Sequence, residues 1–427
     1  MNPSRVRLNR IVHKHIISRV SQGPLKILFV GALPPHQGGS AISCAQLLRA
    51  IAAAGHKVHA IAAITPDHLS SGDLFAVTHP ELQVSRFITP QWYRNPAFPP
   101  PDDVREAEQK VPEKLEATIK MERPDILYIG NEGAARLVVP VALRHDLPCV
   151  VRIAGGQITG ITSGSYPLEL ARETLQAITQ ADVVVTQAAH LAAALRELGC
   201  RRVRTIPNLV DLQRFAPRPK DSCLLRSLQV PRHATVIMHA SNLKEGKRPL
   251  DVVRSAEIVL RERPDLIYVM AGDGPLRAEI EDTSRQLRVS HSFRFTGWIE
   301  YHRMPEYLNL ADVVAMTSAA EQQARVYLET QACSRLLLAS DIPAAREVIE
   351  DSRTGLLFRM GDVQDLAAKT VLAASCPELR REVGSRARQA VESHDLQRIA
   401  SAHIDLLEQV AGRRLRQDSD EAPAARA

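Results

Sequence analysis

The sequence predicts an α/β protein of two doubly wound domains, each a parallel sheet covered by helices, facing one another across a cleft. Three observations predict it. Apolar runs of β type alternate with amphipathic helical runs, the pattern of parallel strands joined by crossover helices. The alternation comes as two series, parted by the proline-rich polar stretch PNLVDLQRFAPRPKDS at 207–222. The chain has 427 residues, enough for two domains with cores of ordinary size.

The first series places strands at 26–31, 58–64, 84–88, 125–130, 149–153, 182–186 and 203–206. Helices are expected at about 40–54, 103–121, 133–144, 168–180 and 188–199. Together they make a first domain of 25–211, followed by a linker assigned to 212–233. The second domain, 234–393, carries strands near 235–240, 266–271, 292–296, 312–317, 336–340 and 355–358. Helices at about 377–393 and 396–412 close the chain, with 394–412 set apart as a final helical segment. The polar, alanine-rich tail 413–427 reads as disordered.

Ahead of the first strand, residues 1–24 hold Arg5, Arg7, Arg10, Lys14 and Arg19 and no acidic residue. Leu8, Val12, Ile16 and Val20 recur every four positions, which gives one apolar face. One reading is a basic amphipathic helix lying on anionic lipid. The other is a helix packed on its own domain, or an extension without structure. The segment is too charged and interrupted for a signal peptide.

Apolar residues make up 45% and charged residues 24% of the chain, ordinary proportions for a globular protein. There is no run of about 18 apolar residues, so no transmembrane helix is expected. The six cysteines are scattered without a C-x-x-C, and they read as small buried hydrophobes in a reducing compartment. No Cys/His spacing fits a metal cluster. The formal charge of +6 gathers in RRVR at 201–204, RRLR at 413–416 and the N-terminal segment. Aromatics are only 4% and do not interleave with these runs, which argues against nucleic acid and for a membrane surface or lipid phosphates as the anionic partner.

The most informative stretch is 314–358, VAMTSAAEQQARVYLETQACSRLLLASDIPAAREVIEDSRTGLLF. An apolar strand ends in a turn bearing Glu321, a helix follows with Glu329 eight positions on, and a second strand leads to Glu347. Along a helix, Glu321 and Glu329 lie on the order of 10 Å apart. That spacing suits two distant hydroxyl-bearing parts of one elongated ligand. A helix start between them offers unpaired N–H groups and the positive end of the macrodipole, a seat for phosphate. Sugar, diphosphate and ribose in that order describe a nucleotide sugar.

This stretch resembles the E-x7-E motif of family 4 glycosyltransferases. KILFVGALPPHQGGSAISCAQLLRAIAAAGHKVHAI (26–61) is similar to that family's first strand, Gly-Gly loop and first helix. ADVVVTQAAHLAAALRELGCRRVRTIPNLVDLQRF (181–215) resembles its domain-closing segment. HASNLKEGKRPLDVV (239–253), AGDGPL (271–276) and FTGWI (295–299) resemble its donor-binding basic turn and two later strand ends. The likeness spans roughly residues 25–395 with the motifs in the family's order. It implies the GT-B architecture of two Rossmann-like domains, with the final helix crossing back to the first.

The resemblance also implies roles. Glu321 would hydrogen-bond hydroxyls of the donor sugar, and Gln323, Ala324, Arg325 and Val326 would present backbone N–H groups to sugar and phosphate. Glu329 would hold the ribose hydroxyls. Lys247, assisted by Lys244, would neutralise the leaving diphosphate, with Asn242 and Arg248 beside them. The Ser241–Lys244 form of this turn resembles the subgroup that includes bacillithiol-pathway transferases. Gly38 and Gly39 would bring backbone close to phosphate or acceptor. Lys247 and Glu321 are the catalytic candidates.

Plainer readings stand beside these. Ser318-Ala-Ala-Glu321 is a capping-box pattern, with Ser318 as N-cap and Glu321 at N3. Glu329 alone reads as a solvent-facing helix residue. A cluster such as Lys244, Lys247 and Arg248 is ordinarily solvated surface, and a Gly pair an ordinary turn. The chain also departs from the family pattern. Ala154 stands where many members carry a His, Gln157 where they carry an Asp, and Leu209, Ser334 and Leu336 replace a Gly, a Gly and a Pro. Arg152 either restores part of the lost polarity or is a buried strand arginine paired with a carboxylate. No D-x-D follows a strand and no P-loop is present, so a metal-independent transferase is expected, with no cofactor beyond the co-substrate.

The expected protein is thus a cytoplasmic, retaining transferase that moves a hexose-type sugar from a nucleoside diphosphate sugar. The acceptor is a hydroxyl of a surface polysaccharide or lipid-linked glycan, at the inner face of the plasma membrane if the N-terminal segment binds lipid. The alternatives are a nucleotide-sugar epimerase of the same architecture, or a homologue that binds nucleotide sugar without turnover.

Overall fold

The computed structural model describes residues 23–35, 38–64, 79–88, 102–154, 156–164 and 166–420, with side chains from 108 onward in the helix that starts at 102 and up to 412 in the last one. Residues 1–22 of the N-terminal segment, and 421–427 of the tail, lie outside the described residues.

Two parallel sheets form the frame. The first contains β1 Lys26–Val30, β2 Lys57–Ile64, β3 Gln83–Ile88, β4 Ile126–Ile129, β5 Cys149–Arg152, β6 Val183–Thr186 and β7 Val203–Thr205. Its order is β3-β2-β1-β4-β5-β6-β7. The second contains β8 Thr235–Ala240, β9 Leu266–Ala271, β10 Phe293–Gly297, β11 Val313–Met316, β12 Leu336–Ser340 and β13 Leu356–Phe358, in the order β10-β9-β8-β11-β12-β13. Central strands such as β4 (ILYI), β6 (VVVT) and β12 (LLLAS) are buried throughout, because helices cover both faces of each sheet.

Strand order reverses beside β1 in the first sheet and beside β8 in the second. Such a reversal opens a crevice at the carboxyl ends of the strands, where α/β proteins bind ligands. The helix Gly39–Ala53 starts at the first crevice and the helix Pro249–Glu262 at the second. This is the GT-B architecture that the sequence predicts.

The last helix, Leu396–Asp420, belongs to the core of the first domain. Its Ile399, Leu406, Leu407 and Val410 pack with Leu47, Leu48 and Ile51. The crossing is fixed by backbone: Val210 N–H donates to the His394 carbonyl at 2.9 Å and Leu396 N–H to the Val210 carbonyl at 3.0 Å.

Three elements differ from expectation. A short helix, Gly156–Thr162, follows β5. Another, Ser222–Ser227, sits in the linker, where Asp221 caps it by accepting from the N–H groups of Cys223 and Leu224 at 2.7 and 3.1 Å. The final helix continues past 412 to Asp420, replacing the structureless start expected for the tail. Its first five residues there, RRLRQ at 413–417, are all good helix formers.

Candidate active site in the interdomain cleft

The two crevices face each other across one cleft of about 690 Å³. That is the size range of small-molecule sites. Every site residue expected from the sequence lines it except Arg248.

On the second-domain wall, β8 ends at Ala240 and the chain turns through Asn242 and Lys244 into a short 3₁₀ turn, Glu245–Lys247. The turn is clamped from two sides. The Leu243 N–H donates to the Asp273 carbonyl at 3.0 Å, and a Cβ on Gly274 would meet Leu243 backbone at 2.6 Å, so AGDGPL needs that glycine for close approach. From the other side the Thr317 hydroxyl donates to the carbonyls of Lys247 and Arg248 at 2.8 and 2.9 Å. Lys247 Nζ, so held, pairs with Glu321 Oε1, which also accepts from the Ser318 hydroxyl at 2.7 Å.

Beneath the turn, His239 is fully buried with Nδ1 2.9 Å from the Ala315 carbonyl and Nε2 2.7 Å from Ser241 Oγ. A carbonyl partner requires Nδ1 to donate, so Nε2 accepts from the serine. Burial, with a smaller push from Lys247, lowers its pKa to about 4.

Two of the plainer readings are corrected here, the capping box and the solvent-facing Glu329. The helix after Glu321 begins only at Arg325, with Ala324 as its N-cap, so Ser318 and Glu321 form no capping box. The segment between is an irregular loop docked by tertiary bonds, among them Ala319 N–H to the Gly246 carbonyl at 3.0 Å. Arg248 does not face the cleft. Its Nε is 2.7 Å from Asp251, a carboxylate 4% exposed on the first turn of its own helix.

Glu329 is not solvent-facing either; it is buried and ion-paired with Arg325 at 2.9 Å, one helical turn away. Arg325 bridges the domains. Its guanidinium reaches the Gly39 carbonyl at 3.3 Å and Gln46 Oε1 at 3.0 Å in the first domain, and the Tyr301 hydroxyl at 2.5 Å in the second. It also lies 4.7 Å from the centre of the Tyr301 ring, a cation–π contact. Burial opposes its charge, but Tyr301 and Glu329 outweigh that and hold its pKa above the ordinary arginine value. Burial pushes the Glu329 carboxyl above the usual range, and Arg325 offsets only part of this.

Gln323 makes a second bridge. Its side-chain oxygen accepts from the Asn208 N–H, and its carbonyl accepts from Asn208 Nδ2 at 3.1 Å.

On the first-domain wall, Gly38 has φ +132 and opens the helix Gly39–Ala53 without a side-chain cap. Ala154 occupies the expected histidine position. Its N–H donates to Glu132 Oε2 at 2.7 Å, and the Gln157 N–H to Glu132 Oε1 at 3.2 Å. Arg152 is 4% exposed and has no carboxylate partner among the described residues. Its nitrogens reach Ser43 Oγ at 3.0 Å, Asn208 Oδ1 at 3.1 Å and Cys44 Sγ at 3.8 Å.

Sequence reasoning missed Tyr301, Gln187 and Glu132. A signal existed for the first two. Tyr301 comes two residues after FTGWI in a chain poor in aromatics, and Gln187 is a polar residue directly after the apolar β6. Among the described residues no group of three His, Cys, Asp or Glu side chains is placed to hold a metal ion, and no helix is long and apolar enough to cross a membrane.

The comparisons agree with this layout. The Glycosyltransferase Family 4 model matches residues 37–214, and the model described as Glycosyl transferases group 1 matches 225–390. The chain is 25% identical to N-acetyl-alpha-D-glucosaminyl L-malate synthase of Bacillus anthracis, over 84% of this chain and 90% of the relative. The fold is similar to that of Anabaena Alr3699/HepE in complex with UDP and glucose, with TM-score 0.75 at 18% identity, covering 90% of this chain and all of that one. It is also similar to sucrose-phosphate synthase of Thermosynechococcus elongatus, with TM-score 0.75 at 19% identity, covering 91% of this chain and all of that one. The matches are to transferases, and they favour neither the epimerase nor the non-catalytic reading. With a family 4 domain followed by a group 1 domain on two facing parallel sheets, this chain belongs to the glycosyltransferases of GT-B fold.

Proposed function

We propose that this protein is a metal-independent, retaining hexosyltransferase acting in surface polysaccharide or lipid-linked glycan synthesis. The observation that carries the proposal is that Glu321, Lys247, Lys244, the start of the helix Arg325–Ala332 and Glu329 all line one cleft. Two carboxylates for hydroxyls, with two ammonium groups and a helix start for phosphate, are the groups that a sugar, a diphosphate and a ribose need. The complex of Anabaena Alr3699/HepE with UDP and glucose supports a sugar-nucleotide occupant for such a cleft.

In this reading Glu329 binds ribose, Glu321 binds sugar hydroxyls, and Lys247 stabilises charge on the departing diphosphate. Asn242, Gly38, Gly39, Ala324 and Val326 supply close contacts around it, and Gln323 fixes the loop between the domains. The acceptor oxygen attacks the anomeric carbon on the face from which the phosphate oxygen leaves. That oxygen takes the acceptor proton, so the anomeric configuration is kept. Ala154 offers no base, and the preorganised cations contribute most of the rate.

The test is a thermal-shift screen of nucleoside diphosphates, followed by NMR of the glycoside formed from the sugar of the best binder. An α-linked product from an α-donor is expected. A β-linked product, or sugar interconversion without acceptor, would reject the reading.

A further inference from the structure

Among the described residues, Arg152 is a cation without a counter-anion. It stands at the carboxyl end of β5, lines the cleft and is 4% exposed. Its three partners, Ser43, Asn208 and Cys44, are neutral, and no ion pair is found for it among the described residues. Arginine stays charged at any working pH. Burying such a charge without a pairing anion is costly. Its field also reaches other groups. Burial lowers the pKa of His403 to about 3, and Arg152 adds to that push.

A second side chain points the same way. Gln187 follows β6, the neighbour of β5, where Arg152 pairs in register with Val185 two residues earlier. Gln187 also lines the cleft and is 4% exposed, and its buried Nε2 has no hydrogen-bond partner among the described residues. An orphaned N–H donor inside a site is expensive unless a ligand satisfies it. Among the described first-domain residues that line the cleft, Arg152 is the sole ionisable one. Both cleft carboxylates, Glu321 and Glu329, stand on the opposite wall and are already paired.

We propose that Arg152 and Gln187 form an oxyanion subsite on the acceptor side of the cleft, so that the acceptor carries a carboxylate or phosphate near its reacting hydroxyl. This deepens the transferase reading and rests on it. The donor's diphosphate has its own cations in Lys244 and Lys247 and its own helix start at Arg325. The fold has already desolvated the Arg152 guanidinium, so an arriving anion gains its attraction without reorganising the site.

The test uses the full chain, with and without the nucleoside diphosphate that stabilises it most. Glycerol 3-phosphate is titrated against glycerol, and D-glucuronate against D-glucose. At least one anionic probe should bind ten-fold or more tightly than its neutral partner, and the member that does so tells phosphate from carboxylate. Arg152→Gln should lose that preference, Arg152→Lys should keep part of it, and both should keep their nucleotide affinity. Should Arg152→Gln not fold, Gln187→Leu should weaken the anionic probe several-fold. Equal binding of charged and neutral probes, or a preference unchanged in Arg152→Gln, would overturn the subsite. So would a parallel loss of nucleotide binding, which would assign Arg152 to the donor. If nucleotides fail to bind at all while the Arg152-dependent preference persists, the donor reading fails and the subsite stands.

Discussion

Arg325 and Glu329 meet at 2.9 Å one turn apart on the same helix, with side chains only 7% and 6% exposed. Through Gly39 and Gln46 the same guanidinium also fastens the second domain to the first. Removing one partner of a buried pair leaves an uncompensated charge, at a cost of about 3–5 kcal/mol. Glu329→Ala should therefore lower stability by that order in urea unfolding, besides raising the donor KM. Arg325→Met with Glu329→Leu should recover most of the stability, because an apolar pair needs no compensation. A Glu329→Ala variant as stable as the parent would show that water, not the fold, neutralises Arg325.

Lys247 and Glu321 call for a different outcome. Glu321 sits in a loop, so substituting it disturbs no helix cap. In the proposed reading Glu321 touches the sugar and not the nucleotide, so Glu321→Gln should impair transfer while leaving nucleoside diphosphate affinity near the parent's. Lys247→Ala should lower kcat by roughly 100-fold, the scale of losing one charge-stabilising donor. Wild-type turnover in both variants would make the pair structural.

The strands were legible because parallel strands covered on both faces read as unbroken apolar runs, ILYI in β4 and LLLAS in β12 among them. The carboxylate pair of the cleft was legible too, through its spacing. The start of its helix was not. Ser318 spends its hydroxyl on the Glu321 carboxylate rather than on a backbone N–H, and the loop is held by Gly246, a contact distant in sequence. The fate of Arg248 could have been read from Asp251 three positions on. That of Arg152 could not, since Ser43 and Asn208 reach it only once sheet, helix and linker have met.

Acid should destabilise the protein earlier than its carboxylates alone require. The pKa of His239 lies at about 4 and that of His403 at about 3, both lowered mainly by burial, while an unfolded histidine titrates near 6.5. Below pH 6.5 the unfolded chain binds protons that the folded protein refuses, so stability falls as pH falls towards 4 and is unaffected by these groups above about 7. Each contributes a slope of about 1.4 kcal/mol per pH unit inside that window. Urea unfolding from pH 8 to 5 should show the decline, and His403→Gln should reduce the slope by one such increment. An unchanged slope would mean that His403 takes up its proton in the folded state.

Chelation tests how the diphosphate charge is neutralised. Lys247 is held against Glu321 by a turn clamped on both sides, Lys244 lines the same wall, and the helix Arg325–Ala332 begins beside them. In the proposed reading two ammonium groups and a helix start would supply the positive field that a bridging cation supplies in other transferases. Transfer measured in millimolar EDTA should therefore retain most of its rate, and added magnesium or manganese should change kcat by less than about two-fold, a change in barrier of under 1 kcal/mol. Lys247→Ala sharpens the test. If lysine does the neutralising, its loss should not be rescued by manganese. Activity abolished by EDTA and restored by a divalent cation would assign the charge to a metal and leave Lys247 as the partner that orients Glu321.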